Sequence, residues 1–160
     1  MKANRHQSHL HILPEDDANR QIAKGFESHG SVRDVKMQVL PEARGWGRVL
    51  DEFDATHSNA LKKYPNRFLV LLIDFDEDGE RRQLVLSKIP ADFRERVFVL
   101  GVWSEPERLK RQLGSYETIG AALAEDCFRN TTTTWSHPLL QHNTDELVRL
   151  REQVHPFLFN

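Results

Sequence analysis

Cysteine occurs once in the 160 residues, so no disulfide can form within the chain. That residue, Cys127, sits in a helical pattern beside Leu123 and Phe128, where a small buried hydrophobe is expected. Long apolar runs are missing as well. The longest, Phe68 to Ile73, is far too short to cross a bilayer and has the composition of a buried strand. Met1 to Ser8 is polar and lacks the apolar core of a secretory signal, which predicts a cytoplasmic protein with no membrane partner. There is also no excess of positive charge: 22 Lys and Arg face 24 Asp and Glu, for a net charge of −2. The molecule as a whole therefore does not attract nucleic acid, and such a partner would need a local basic patch, a bridging metal or a second protein to deliver it.

What is present is an ordinary globular mixture, 39% hydrophobic and 29% charged, in a chain long enough for one domain with a layered core. His9 to Leu13 reads as a first strand stopped by Pro14, and Ala18, Ile22, Ala23 and Phe26 then recur at helical spacing. A second strand is expected over Val35 to Leu40, and a long amphipathic helix follows from Trp46 to Tyr64. The wholly apolar Phe68 to Ile73 needs cover on both faces. A short helix around Leu84 to Ile89 and a strand over Arg96 to Val102 complete an alternation of β and α elements. That order predicts a mainly parallel four-stranded sheet flanked by helices. From about residue 104 the chain reads as a helical C-terminal third within the same domain. Ser104 with Glu107 and Asn143 with Glu146 fit capping boxes there.

In such sheets ligands gather beyond the carboxyl ends of the strands, and two acidic clusters fall at those ends. Glu15, Asp16 and Asp17 follow the first strand, and Asp74 to Glu80 follows the third. In an extended strand residues i and i+2 share a face, so Asp74 and Asp76 are expected to point together. Paired carboxylates repel one another unless a cation compensates them, and hard ions such as Mg²⁺ or Mn²⁺ take oxygen ligands of this kind. The other acids read as caps and solvated turns, with Asp16 and Asp17 at the start of the first helix.

Asp74-Phe75-Asp76-Glu77-Asp78-Gly79, following a fully apolar strand, resembles the DxDxxG element of the TOPRIM domains found in topoisomerases, primases and OLD-type nucleases. The resemblance covers roughly the first two-thirds of the chain. It implies that Glu15 is the first-strand glutamate, a metal ligand or general acid/base, and that Asp74 and Asp76 hold Mg²⁺ against a phosphate. Glu105 or Glu107 would supply the further acid of the OLD-type enzymes, and since the capping box already uses Glu107, the metal set is Glu15, Asp74, Asp76 and Glu105. The implied activity is metal-dependent phosphodiester cleavage of nucleic acid, with a protein partner as in prokaryotic defence systems. Asp16 and Asn19 stand where that family has glycine and aspartate. These departures keep open a non-catalytic subunit that retains the fold.

Two other patterns compete. Asp74, Asp76, Asp78 and Gly79 match the start of an EF-hand loop, but its twelfth position is Val85 and a strand precedes it. A receiver domain also pairs acids after the first strand with an aspartate ending the third, yet no later strand ends in the lysine that family requires. His137 and His142 have no third ligand at zinc spacing and are expected to serve packing or hydrogen bonding.

Overall fold

The computed structural model describes residues 4–160. Within these residues four strands form one sheet: β1 (His9–Pro14), β2 (Met37–Val39), β3 (Arg67–Leu72) and β4 (Val97–Leu100). All pairings are parallel and the order is β2-β1-β3-β4. Among the described residues seven α-helices connect and follow them: α1 (Asp17–Glu27), α2 (Trp46–Glu52), α3 (Ser58–Lys63), α4 (Gly79–Ser87), α5 (Pro106–Leu113), α6 (Tyr116–Arg129) and α7 (Thr144–Leu158). A π-helical turn, Phe53–His57, runs α2 into α3, so the long helix expected from the 46–64 pattern is one rod with a widened turn in its middle. Among the described residues no helix is long and apolar enough to cross a membrane.

The strands are buried on both faces because they alternate between two cores. Leu10, Ile12, Val70, Phe98 and Leu100 pack with Ile22, Ile119, Leu123, Leu150 and Val154 of α1, α6 and α7. Leu13, Leu69, Leu71, Val97 and Val99 pack with Val49, Phe53, Leu61 and Val85 on the opposite side. The result is three layers, with α1, α6 and α7 on one face and α2, α3 and α4 on the other.

Helices α1 and α6 approach so closely that two glycines are required. A Cβ on Gly120 would lie 1.9 Å from the Ile22 carbonyl oxygen, and one on Gly25 would lie 2.2 Å from that of Glu117. Both obstacles are backbone and cannot swing away. Gly120→Ala is therefore expected to destabilise the protein by about 2 kcal/mol, read from the urea midpoint, despite alanine's better helix propensity.

The open edge of β4 is closed by side chains. Glu146 on α7 accepts the Val99 N–H at 2.8 Å, while Asn143 accepts the Gly101 N–H at 3.1 Å and donates to the Gly101 carbonyl at 3.0 Å. The capping box expected of Asn143 and Glu146 does not form, because both side chains reach across to this edge. The box expected of Ser104 and Glu107 is absent too: Glu105 occupies the N-cap of α5 without a side-chain cap.

Candidate functional site

The chain leaves β1 through α1 on one face and reaches β3 through α2 and α3 on the other, so the connections diverge between β1 and β3. A crevice at the carboxyl ends of two such strands is where doubly wound sheets bind ligands. Glu15 and Asp74 lie there. Register pairs Pro14 with Leu72, and the Glu15 N–H continues the ladder to the Leu72 carbonyl at 2.9 Å. One Glu15 carboxylate oxygen then accepts the Asp74 N–H at 2.6 Å.

Glu15 is 9% exposed, and burial pushes its pKa above the usual carboxylate range. The Asp74 and Trp46 backbone amides pull it back, and the Glu15 carbonyl accepts from Arg44 and Gly45 at 2.7 and 3.1 Å. Glu15 thus ties the end of β1 to the end of β3 and to the start of α2.

Asp74 is the most perturbed acid of the site. Burial raises its pKa to about 8, against a hydrogen bond from Asn19 that lowers it, and the neighbouring Asp16 and Glu15 charges raise it further. Asn19 is the bridge: its Nδ2 donates to Asp16 Oδ1 and to Asp74 Oδ1, each at 2.9 Å. Asp16 also caps α1, accepting the Asn19 N–H at 2.9 Å. Tyr116 opens α6 beside this group. Its phenol pKa is raised first by burial and then by the charges of Glu107, Asp16 and Asp74.

The structure brings Glu15 and Asp74 together and adds Asp16, but it places Asp76 and Glu105 differently. Extended pairing runs on through Phe75, whose N–H meets the Val102 carbonyl at 3.0 Å. Asp76 and Glu77 then turn left-handed, with φ of 51° and 56°. The strand alternation that would put Asp74 and Asp76 on one face therefore stops one residue short. The Asp76 side chain is 65% exposed and lies 3.9 Å from Arg81. Glu105 is exposed at the α5 N-cap. Among the described residues no three His, Cys, Asp or Glu side chains form a ready metal cage.

The turn itself is strained, because left-handed backbone costs a residue with a Cβ about 1 kcal/mol or more. Glu77→Gly is expected to raise stability by about 1 kcal/mol in chemical denaturation. The Glu77 ion pair with Arg108 that it removes is exposed and of little worth.

Sequence reasoning missed Arg81, which reads there as one more charge after an acidic run. Its guanidinium lies 4.8 Å from the centre of the Trp46 ring, and its Nη1 donates to the Asp74 carbonyl at 2.9 Å. Its Nε is buried without a partner. The signal was the spacing: Asp78 caps α4 through the N–H groups of Glu80 and Arg81, which fixes residue 81 in the first turn beside the strand end.

His142 is engaged within the protein. Its Nε2 meets the Gly101 carbonyl at 2.7 Å, its ring packs on Phe75 and Trp103, and burial lowers its pKa to about 4. His137 bonds Gln112 at 2.6 Å. Both histidines are held by hydrogen bonds within the protein, and His142 also by ring packing.

Fold and site together define an α/β protein with a parallel 2-1-3-4 sheet and, at the divergence of its strands, a buried Glu15 beside the half-buried Asp16 and Asp74. No protein family matches the sequence, and no curated protein or solved structure is significantly similar to it.

Proposed function

We propose that the chain is a TOPRIM-like domain that uses Mg²⁺ or Mn²⁺ to cleave phosphodiester bonds in nucleic acid. The observation that carries this reading is the burial of Asp74 against Asp16 at the β1 and β3 ends, two carboxylates with a single shared amide donor between them. The donor set is all oxygen, and Asn19 Oδ1 is buried with no hydrogen-bond partner, so the residues fit a hard cation. Asp74 and Asp16 would hold the ion in place of the Asn19 Nδ2 that bridges them, and Asn19 would add its Oδ1 only once its amide turns over. A divalent ion bound there supplies charge neutralisation and a more acidic water.

The chain's own residues do the rest. Glu15 is a positioning residue, since its carboxylate is engaged by backbone amides that fix the Asp74 peptide. Arg81, held on Trp46 and carrying an unpaired Nε, offers a fixed positive charge beside Asp74 for a phosphate. Asp76, two-thirds exposed at the rim, remains available to a second ion or to bound substrate.

Calorimetric titration with Mg²⁺ and Mn²⁺, alongside cleavage of end-labelled DNA and RNA, tests the proposal. Asp74→Asn is expected to lower cleavage by a factor of about 10² or more, the scale of losing a main electrostatic contact in a site. Absence of divalent binding by the native chain would refute it. A second reading, a metal-binding interaction subunit without turnover, is favoured by the engagement of Glu15 with backbone amides and by the exposure of Glu105. It predicts divalent binding with no cleavage by the purified chain. For a receiver-like phospho-acceptor the sheet has no fifth strand among the described residues, and side chains of α7 and the turn before it occupy the edge where one would add.

A further inference from the structure

The opposite end of the sheet carries the reverse charge. Arg67 opens β3 in register with His9, and its Nε donates to His9 Nε2 at 3.0 Å. The Arg67 guanidinium stands 4.6 Å from the centre of the Tyr64 ring. Arg5 donates to the Tyr64 hydroxyl at 2.8 Å and lies 5.5 Å from the same ring, as does the Lys63 ammonium. Lys36 bonds Gln7 close by, next to His9. Among the described residues, Arg5, Lys36, Lys63 and Arg67 form no ion pair with any carboxylate.

This is a self-repelling group on a chain whose net charge is negative. His11 sits within it, and its pKa falls to about 3 through burial first and then through the charges of Arg67, His9 and His57. Like charges gathered without counter-charge are stabilised by an anion.

We propose that the amino-terminal end of the sheet binds the phosphate backbone of single-stranded nucleic acid, with Arg5, Lys63 and Arg67 meeting phosphates around Tyr64. Arg5 and Lys63 are exposed and gathered around one ring, an arrangement of charge that tracks a flexible phosphate backbone. The residues from Arg67 to Asp74 span roughly 23 Å at strand rise, so this surface is separate from the carboxylates and needs no divalent ion. It goes beyond the cleavage reading and stands or falls apart from it.

Anisotropy of a labelled single-stranded oligonucleotide, measured in EDTA over a series of salt concentrations, tests it. The native chain is expected to bind with an affinity that falls as salt rises. The double variant Arg5→Glu with Lys63→Glu should bind at least about tenfold more weakly, its log–log salt slope smaller by about 1.4, or about 0.7 for each phosphate no longer neutralised. The same charge change on α5, Arg108→Glu with Arg111→Glu, should leave binding as it was. The proposal is overturned if the native chain does not bind in EDTA, if Arg5→Glu with Lys63→Glu binds as the native chain does, or if the α5 variant is the one that loses binding. Adsorption to anionic lipid vesicles without oligonucleotide binding would also overturn it. Failure here would leave divalent binding at Asp74 untouched, and failure of divalent binding would leave this result untouched.

Discussion

Asp74→Asn stabilises the metal-free protein progressively from about pH 4 upward, to a ceiling on the order of 5 kcal/mol reached near pH 8, and flattens the loss of stability that the native chain shows as pH rises. The sign follows from proton linkage. The folded pKa, about 8, lies above the ordinary aspartate value of 3.8, so the folded state holds a proton that the unfolded state has released. Asp74 therefore costs nothing below about pH 4, and the penalty grows at about 1.4 kcal/mol per pH unit until the folded group ionises near pH 8. Glu15, also raised, adds to the decline in the same direction. Asparagine keeps an acceptor for Asn19 and offers Asp16 a donor, so the variant removes the charge without stripping the site of hydrogen bonds. Urea unfolding in EDTA at about pH 5 and pH 9 measures it, and equal slopes for the two proteins would show that Asp74 is not the group responsible. Where the carboxylates hold Mg²⁺, adding it at the higher pH restores stability to the native chain and not to the variant.

Glu146→Ala is expected to cost about 4 kcal/mol, at the upper end of what a single truncation does to a fold of this size. The Glu146 side chain is 4% exposed and accepts from Arg149 at 2.7 Å and Arg94 at 3.4 Å, as well as from the Val99 N–H. Truncation leaves a buried β4 N–H without a partner and two guanidinium groups without their carboxylate. Glu146→Gln keeps an acceptor for Val99 and loses only the charge, so it should cost about half as much. Thermal or urea midpoints for the pair give the comparison. Equal losses would assign the effect to charge alone, and no loss in either would show that the edge does not depend on this residue.

Asp74 and Glu146 differ in how far the chain alone reveals them. Asp74 stands out because a carboxylate directly after six apolar residues has to emerge at the end of a buried strand. Its partner does not. Asn19 is where the TOPRIM resemblance breaks, and only the approach of α1 to the end of β3 shows its amide between two aspartates. Strand geometry carried on to residue 76 puts Asp76 on the face of Asp74, whereas the left-handed turn begins at Asp76 itself. Asn143 and Glu146 have the spacing of a capping box, but the bare edge of β4 takes both side chains instead. Local spacing carries no information about which backbone groups elsewhere are short of a partner.

The amino-acid sequence by itself determined the alternation of strands and helices, the parallel sheet it requires, and the placing of acids at strand ends. All three follow from hydrophobic period and from breakers such as Pro14, which act over a few residues. Only the tertiary structure decided the strand order, the meeting of Asp16 with Asp74 through Asn19, the placing of Arg81 on Trp46, and the separation of acidic and basic charge to opposite ends of the sheet. Those depend on contacts between residues far apart in the chain, which form where packing closes the layers and buried polar groups must find partners.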